Sequence, residues 1–125
     1  ALALNLFPSE SKGDKKMILD FKTADEAVFE GFKGGEGALS AKMYSDDINR
    51  ILHGRLEPGS SIGFHSHDEN SEIIYILNGS GTVIFDSEKE AISEGMCHYC
   101  PKGHSHSLIN SGDTDLVFFA VVPQQ

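Results

Sequence analysis

Two histidine pairs and one glutamate have the residue types and spacing of a metal site. His65 and His67 are separated by one residue, and four residues lie between His67 and Glu72. A second His-x-His pair, His104 and His106, lies closer to the end of the chain. Imidazole nitrogens and one carboxylate oxygen suit Mn, Fe, Co, Ni, Cu or Zn. The sequence therefore predicts a site for one divalent transition metal ion, whose identity the spacing leaves open.

A β-strand would bring the first pair together, because residues i and i+2 of a strand share a face. His65 and His67 then point inward together, and Gly63 shares their side. We expect a hairpin turn through residues 68–71 to bring Glu72 back beside them.

The same alternation predicts what surrounds the ion. Ile74 and Ile76 share the face of Glu72, and Leu108 shares the face of His106. These positions predict a mainly apolar wall that contacts a small chelating organic ligand and supplies few proton-transfer groups.

Composition and turn spacing indicate short strands in one domain. The 125 residues include 13 Gly and no Trp, and 39% are hydrophobic, which fits a single all-β core. The predicted strands are Ala27–Phe32, Ala38–Tyr44, Arg50–Glu57, Ile62–His67, Glu72–Leu77, Gly81–Asp86, Met96–Cys100, Ser105–Asn110 and Leu116–Val122. Many short antiparallel strands are typical of a jelly roll or a barrel.

Two patterns resemble the motifs of the cupin superfamily in full. Residues 59–79, GSSIGFHSHDENSEIIYILNG, contain G-x5-H-x-H-x4-E-x6-G, and residues 95–110, GMCHYCPKGHSHSLIN, contain G-x5-P-x-G-x2-H-x3-N. The resemblance covers roughly residues 50 to 123. It implies a double-stranded β-helix, the jelly-roll barrel of that superfamily.

The resemblance also implies a ligand set. The motif positions assign the metal to His65, His67, Glu72 and His106. The register of the second His-x-His pair places His104 in a loop or at the pocket rim, where it is a candidate for substrate binding.

Two readings remain open for the predicted strand 50–57. One face carries Leu52 and Leu56, and the other carries His53 and Arg55. If the second face lines the cavity, His53 offers a proton donor and Arg55 a clamp for a carboxylate. If it faces outward, both side chains are solvated.

One departure from the family pattern bears on the substrate. Cupins that act on oxalate typically carry an arginine on the strand entering the first motif. Here Ile62, Gly63 and Phe64 precede His65. The resemblance therefore disfavours an oxalate decarboxylase or oxidase.

Two function classes follow from this site. The first is a metal-dependent enzyme with lyase, isomerase or dioxygenase chemistry on a small metabolite that bears carboxylate or hydroxyl groups. The second is a module that binds or senses a small molecule or a sugar without turnover. Fold alone does not choose between them.

Charge and the chain start limit the partners. Asp and Glu outnumber Lys and Arg by 19 to 10, for a net charge of −9, which disfavours nucleic acid and anionic membranes. No secretory signal is recognisable, so we expect a cytoplasmic protein.

Residues 1–25 are interpreted as an N-terminal extension, in part a tag or leader, and residues 26–125 as one barrel. Leu116–Val122 and an outward Tyr75 predict a homodimer.

Cys97 and Cys100 form a C-x-x-C pair. On a strand they would lie about 10 Å apart on opposite faces, too far for a disulfide. We expect two buried reduced thiols.

Overall fold

Apart from one 3₁₀ turn at Phe32–Gly34, the regular elements in this computed structural model, which describes residues 17–125, are strands. The strands are β1 (Ala27–Glu30), β2 (Ala38–Ser45), β3 (Asn49–Leu56), β4 (Ser61–Ser66), β5 (Glu72–Asn78), β6 (Ser80–Phe85), β7 (Glu88–Ser93), β8 (Cys97–Cys100), β9 (Ser105–Ile109) and β10 (Leu116–Pro123). None of the described residues belongs to a helix long and apolar enough to cross a membrane.

The strands form two antiparallel sheets. The six-stranded sheet has the order β1-β2-β3-β10-β5-β8, and the four-stranded sheet has the order β4-β9-β6-β7. From β3 onward the chain changes sheet at each connection except that between β6 and β7. This alternation between two sheets is the jelly-roll barrel, and it confirms the predicted all-β fold.

Side-chain alternation builds the core between the sheets. Buried and partly exposed residues alternate along the whole of β10, as expected for a strand with one face in the core. Gly54 lies against the Phe118 ring, where a Cβ would come within 2.6 Å of a ring carbon. The core cluster comprises Leu39, Ala41, Met43, Leu52, Leu56, Ile62, Ile74, Ile76, Val83, Ile92, Leu108, Leu116, Phe118 and Ala120.

Strand β7 was not predicted. Its residues Glu88–Ala91 are exposed, and it forms the edge of the four-stranded sheet. A charged edge strand has no apolar alternation, and charges at an edge discourage pairing with other chains.

The expected hairpin between β4 and β5 is wrong. β4 belongs to the four-stranded sheet and β5 to the six-stranded sheet, so residues 67–71 cross from one sheet to the other. Glu72 therefore approaches the histidines from the opposite wall of the barrel.

A bulge in β4 changes which side chains point inward. Ile62 pairs with Leu108, whereas His65 pairs with His106, so the register shifts by one residue between them. Such an extra residue re-aims the side chains that follow it. Ile62 and His65 consequently both line the interior cavity, although simple alternation places them on opposite faces.

Gly63, within this bulge, contacts the 3₁₀ turn. A Cβ at this position would lie 2.0 Å from the carbonyl oxygen of Lys33, so only glycine permits this backbone contact. We expected Gly63 to face the cavity. It packs instead against the 3₁₀ turn, and Lys33 of that turn lines the cavity.

The N-terminal segment lies partly outside the described residues, which begin at Met17. Within residues 17–25, the Phe21 ring packs edge-on against Phe119 with ring centroids 6.0 Å apart. Lys42 Nζ donates a hydrogen bond of 2.5 Å to the Phe21 carbonyl oxygen. The boundary of the proposed extension stays a prediction.

Candidate metal centre

Four donor side chains converge inside the barrel. His65 lies on β4, His67 just beyond it, Glu72 at the start of β5 and His106 on β9. Their candidate ligand atoms all lie within 4.8 Å of one another. His67 Nε2 is 3.1 Å from His65 Nε2 and 2.9 Å from His106 Nε2.

The Glu72 carboxylate completes the cluster. Its Oε1 lies 3.1 Å from His67 Nε2 and 3.0 Å from His106 Nε2. Only 7% of Glu72 is exposed, so its charge depends on these neighbours for compensation.

A bound cation fits this geometry. Two donors that each lie about 2.1 Å from one ion, at right angles, are separated by about 3 Å. The nitrogen and oxygen separations within the cluster have this size. Lone pairs that converge so closely repel one another unless a proton or a metal ion lies between them, so the arrangement could hold a transition metal ion.

Hydrogen bonds behind each imidazole fix its orientation. The Nδ1–H of His65 donates to the Gly63 carbonyl oxygen at 2.7 Å, and that of His67 donates to Asn70 Oδ1. His106 Nδ1 and His98 Nε2 lie 2.9 Å apart and share a hydrogen bond. With its proton on Nδ1, each ring turns an Nε2 lone pair toward the centre, which is the tautomer that binds a metal.

The pKa shifts agree with this assignment. Burial would raise the pKa of Glu72, but hydrogen bonds with His106 and His67 hold it at about 2. Burial lowers the pKa of His65 and lowers that of His98 to about 4, which keeps both rings neutral. Burial would also lower the pKa of His67, but its bond to Glu72 outweighs this effect and raises it. Metal binding at His67 therefore competes with protonation of that ring.

A cavity of about 630 Å³ opens beside the cluster, a size typical of small-molecule sites. The expectation of a mainly apolar wall is wrong, because charged and polar residues from loops and strand ends join the lining. The lining residues are Phe32, Lys33, Leu39, Met43, Ser45, Asp46, Asp47, Asn49, Arg50, Leu52, Ile62, His65, Ser66, His67, Asp68, Glu69, Asn70, Glu72, Val122 and Gln124.

His53 and Arg55 do not reach this cavity. Both lie on the face of β3 opposite to buried Leu52. The centroids of the His53 and Phe21 rings are 6.0 Å apart. The Arg55 guanidinium forms an ion pair with the Glu26 carboxylate, with nitrogen and oxygen 3.0 Å apart. Their prediction as substrate-binding residues is corrected here: they occupy the outer face.

Ile74, Ile76 and Leu108 point inward as expected, but they belong to the packed core. Each is at most 2% exposed, and none is among the residues that line the cavity. We expected these three side chains to contact a substrate. The structure instead gives them a structural role in the core.

His104 lies at the outer rim. Its Nδ1 pairs with Asp86 Oδ2 at 2.7 Å, and its ring stacks on Phe85 with centroids 5.2 Å apart. The side chain is 44% exposed and is absent from the cavity lining. The structure thus agrees with the expected position in a loop or at a rim, but it does not bring His104 to the cavity as a substrate-binding residue.

The cysteines differ from the expectation of two buried thiols. Cys97 is exposed and Cys100 is buried, and both are free. Burial raises the pKa of Cys100 to about 11, so this thiol stays protonated and unreactive.

The sequence patterns missed several residues of the site, among them Arg50, Asn70 and His98. Arg50 shares the inward face of Leu52, and the alternation used for the rest of β3 would have found it. Asn70 orients His67 from an irregular loop. His98 comes from the opposite sheet to His106, and no spacing rule links the two.

Known proteins resemble this chain in sequence and fold. Residues 52–122, which are 71 of the 125 residues, match the family model described as the cupin domain. An oxalate-binding protein of Thermotoga maritima is 38% identical over 97 residues, which cover 72% of this chain and 79% of that protein.

Solved structures agree. The crystal structure of a predicted oxalate decarboxylase from Thermotoga maritima has a TM-score of 0.83 and 30% identity, and covers 87% of this chain and all of that one. KdgF from Halomonas sp. has a TM-score of 0.69 with 18% identity, and covers 85% of this chain and 92% of that one; it supports the fold alone.

Replacing His67 or Glu72 with Ala removes a donor from the centre of the cluster, and we expect neither variant to retain a stoichiometric metal ion. Elemental analysis after dialysis measures this loss, and circular dichroism checks the fold. His104→Ala is the matched control, since it changes a histidine of the other His-x-His pair at the rim. Full metal occupancy in both centre variants would contradict the assignment.

Replacing His98 with Phe keeps an aromatic ring but removes the nitrogen that shares a hydrogen bond with His106. We expect metal affinity to fall about 10- to 100-fold, as is typical when the partner of a ligating histidine is lost. Competition with a chromophoric chelator gives the affinity. His53→Phe, on the outer face, should bind metal as the wild type does, and an unchanged affinity in His98→Phe would refute the orienting role.

Proposed function

Because the chain belongs to the cupin family, we propose that it binds one divalent transition metal ion through His65, His67, Glu72 and His106 and acts on a small chelating carboxylate of the oxalate class. The observation that carries this proposal is the convergence of the four donors beside an open cavity.

The similar proteins support the ligand class. One relative is described as an oxalate-binding protein, and one structural neighbour as a predicted oxalate decarboxylase. The absence of an arginine among residues 62–64 argued against oxalate. However, Lys33 and Arg50 supply cations to the same cavity from other elements.

When bound, the ion supplies Lewis acidity that polarises a carboxylate or carbonyl oxygen of the ligand. The protein residues set its charge: three neutral imidazoles and the Glu72 anion leave one net positive charge from a divalent ion, which attracts an anion. The bonds from Gly63, Asn70 and His98 hold the imidazoles in place, so the ligand meets a preorganised centre.

Acids at the cavity mouth favour turnover. Asp68 and Glu69 line the cavity and are exposed, so they can exchange protons between solvent and a bound ligand. We therefore place lyase, isomerase or dioxygenase chemistry first. A binding module without turnover is the second candidate, favoured by the description of the relative as a binding protein.

We also propose a cytoplasmic homodimer. Outward residues of β5 and β8 form an apolar patch, with Ile73 41%, Tyr75 44% and Tyr99 55% exposed. Ile73 and Tyr99 are direct cross-strand partners, so the patch is continuous. A second copy of the chain would cover it.

Light scattering tests the dimer. We expect twice the mass of one chain for the wild type and a shift toward monomer for Tyr75→Glu, because a charge would be buried in the interface. Glu90→Gln, on the other sheet, should leave the mass unchanged. A wild-type monomer at high protein concentration would contradict the proposal.

Oxalate should stabilise the metal-loaded protein and not the metal-free protein. Saturation at about 100 times Kd corresponds to about 2.7 kcal/mol, which a thermal-shift measurement resolves as several degrees. Succinate, whose carboxylates are too far apart for a compact chelate, should give a smaller shift at equal concentration. The Glu72→Ala variant should show no metal-dependent shift.

Product analysis then separates the two classes. Formate and carbon dioxide released from oxalate would establish a decarboxylase. Stabilisation without any product would favour the binding module. If oxalate neither stabilises the metal-loaded protein nor yields product, the assignment to the oxalate class is wrong.

A further inference from the structure

Arg50 is a cation on the inner face of a strand. It lies two residues before Leu52 on β3, and Leu52 is 4% exposed in the core. Arg50 lines the same cavity as His65 and Glu72. Its charge therefore acts on whatever occupies the space beside the four donors.

Two polar atoms on this wall lack partners. Among the described residues, the buried side-chain atoms without a hydrogen bond are Arg50 Nε and Ser45 Oγ. The two residues are directly paired between β3 and β2, and both line the cavity. A buried polar group without a partner costs about 1–3 kcal/mol, so two at one place indicate that a ligand supplies the missing bonds.

The acids around Arg50 do not fill this role. Asp46 also lines the cavity, but its Oδ1 accepts the backbone N–H groups of Ile48 and Asn49 at 2.9 and 2.7 Å. Within residues 17–125 no ion pair of Arg50 is found.

Arg55, on the outer face of the same strand, provides the contrast. Its guanidinium lies 3.0 Å from Glu26 and 3.6 Å from both Glu57 and Asp115. The outward arginine is thus surrounded by carboxylates, whereas the inward one faces an open cavity.

We propose that Arg50 and Ser45 form a carboxylate subsite in the cavity wall, which binds ligand oxygens that do not contact the metal. The Nε–H and the Ser45 hydroxyl donate to those oxygens. The Arg50 charge adds to the positive charge that a divalent ion keeps beside the Glu72 anion, which favours an anionic ligand at this place. The inference deepens the proposed function and rests on it for the identity of the ligand.

Arg50→Gln tests the subsite in the metal-loaded protein. We expect its Kd for oxalate, from titration calorimetry, to rise about 10- to 100-fold, as for a lost charge-assisted hydrogen bond. Its metal content should not change, because Arg50 is not a donor to the ion. Arg55→Gln is the matched control from the same strand, and its Kd for oxalate should equal that of the wild type.

A second readout needs neither oxalate nor metal. In ¹⁵N-labelled metal-free protein, the Nε–H resonance of Arg50, assigned by its loss in Arg50→Gln, should shift saturably with added acetate. The Arg55 resonance should move little, because its guanidinium is already paired.

The outcomes separate the two proposals. If oxalate binds equally well to the wild type and Arg50→Gln, the subsite is wrong and the proposed function stands. If the wild type does not bind oxalate, the ligand class is wrong and the acetate titration decides: a saturable shift of Arg50 supports the subsite, and an unmoved resonance overturns it.

Discussion

A carboxylate in the middle of the barrel sets the conditions for the rest of the structure. Glu72 is almost completely buried, and the two oxygen–nitrogen contacts to His67 and His106 are what stabilise its charge. A charge buried without such partners costs several kcal/mol. Each element that brings an imidazole to Glu72 therefore contributes to the fold as well as to the site.

The two sheets supply this arrangement jointly. β4 and β9 bring the histidines from one wall, and β5 brings Glu72 from the other. The bulge in β4 turns His65 inward, and Gly63 within it accepts the hydrogen bond from that ring. Because three of the donors sit on paired strands and His67 directly follows one, their positions are fixed before any ligand arrives.

The sequence predicted the barrel and the four converging residues because both depend on local patterns: strand alternation and two spaced motifs. It failed where distant elements meet. The hydrogen bond between His98 and His106 joins different sheets, and the connection after His67 crosses between sheets where a hairpin was expected. The charged edge strand β7 has no apolar period, and the polar cavity wall comes largely from loops and strand ends. Arg50 is a different failure, since alternation along β3 assigns it correctly.

Lys33 and Arg50 bring positive charge to the cavity that the four donors border, and four acidic residues from the loops also line it. The most direct test of the central claim is a crystal structure of the metal-soaked protein with anomalous diffraction measured at the metal absorption edge. The account predicts one anomalous peak, within about 2.0–2.3 Å of Nε2 of His65, His67 and His106 and of a Glu72 oxygen. A peak at another place, or none at these residues when metal is saturating, would contradict it.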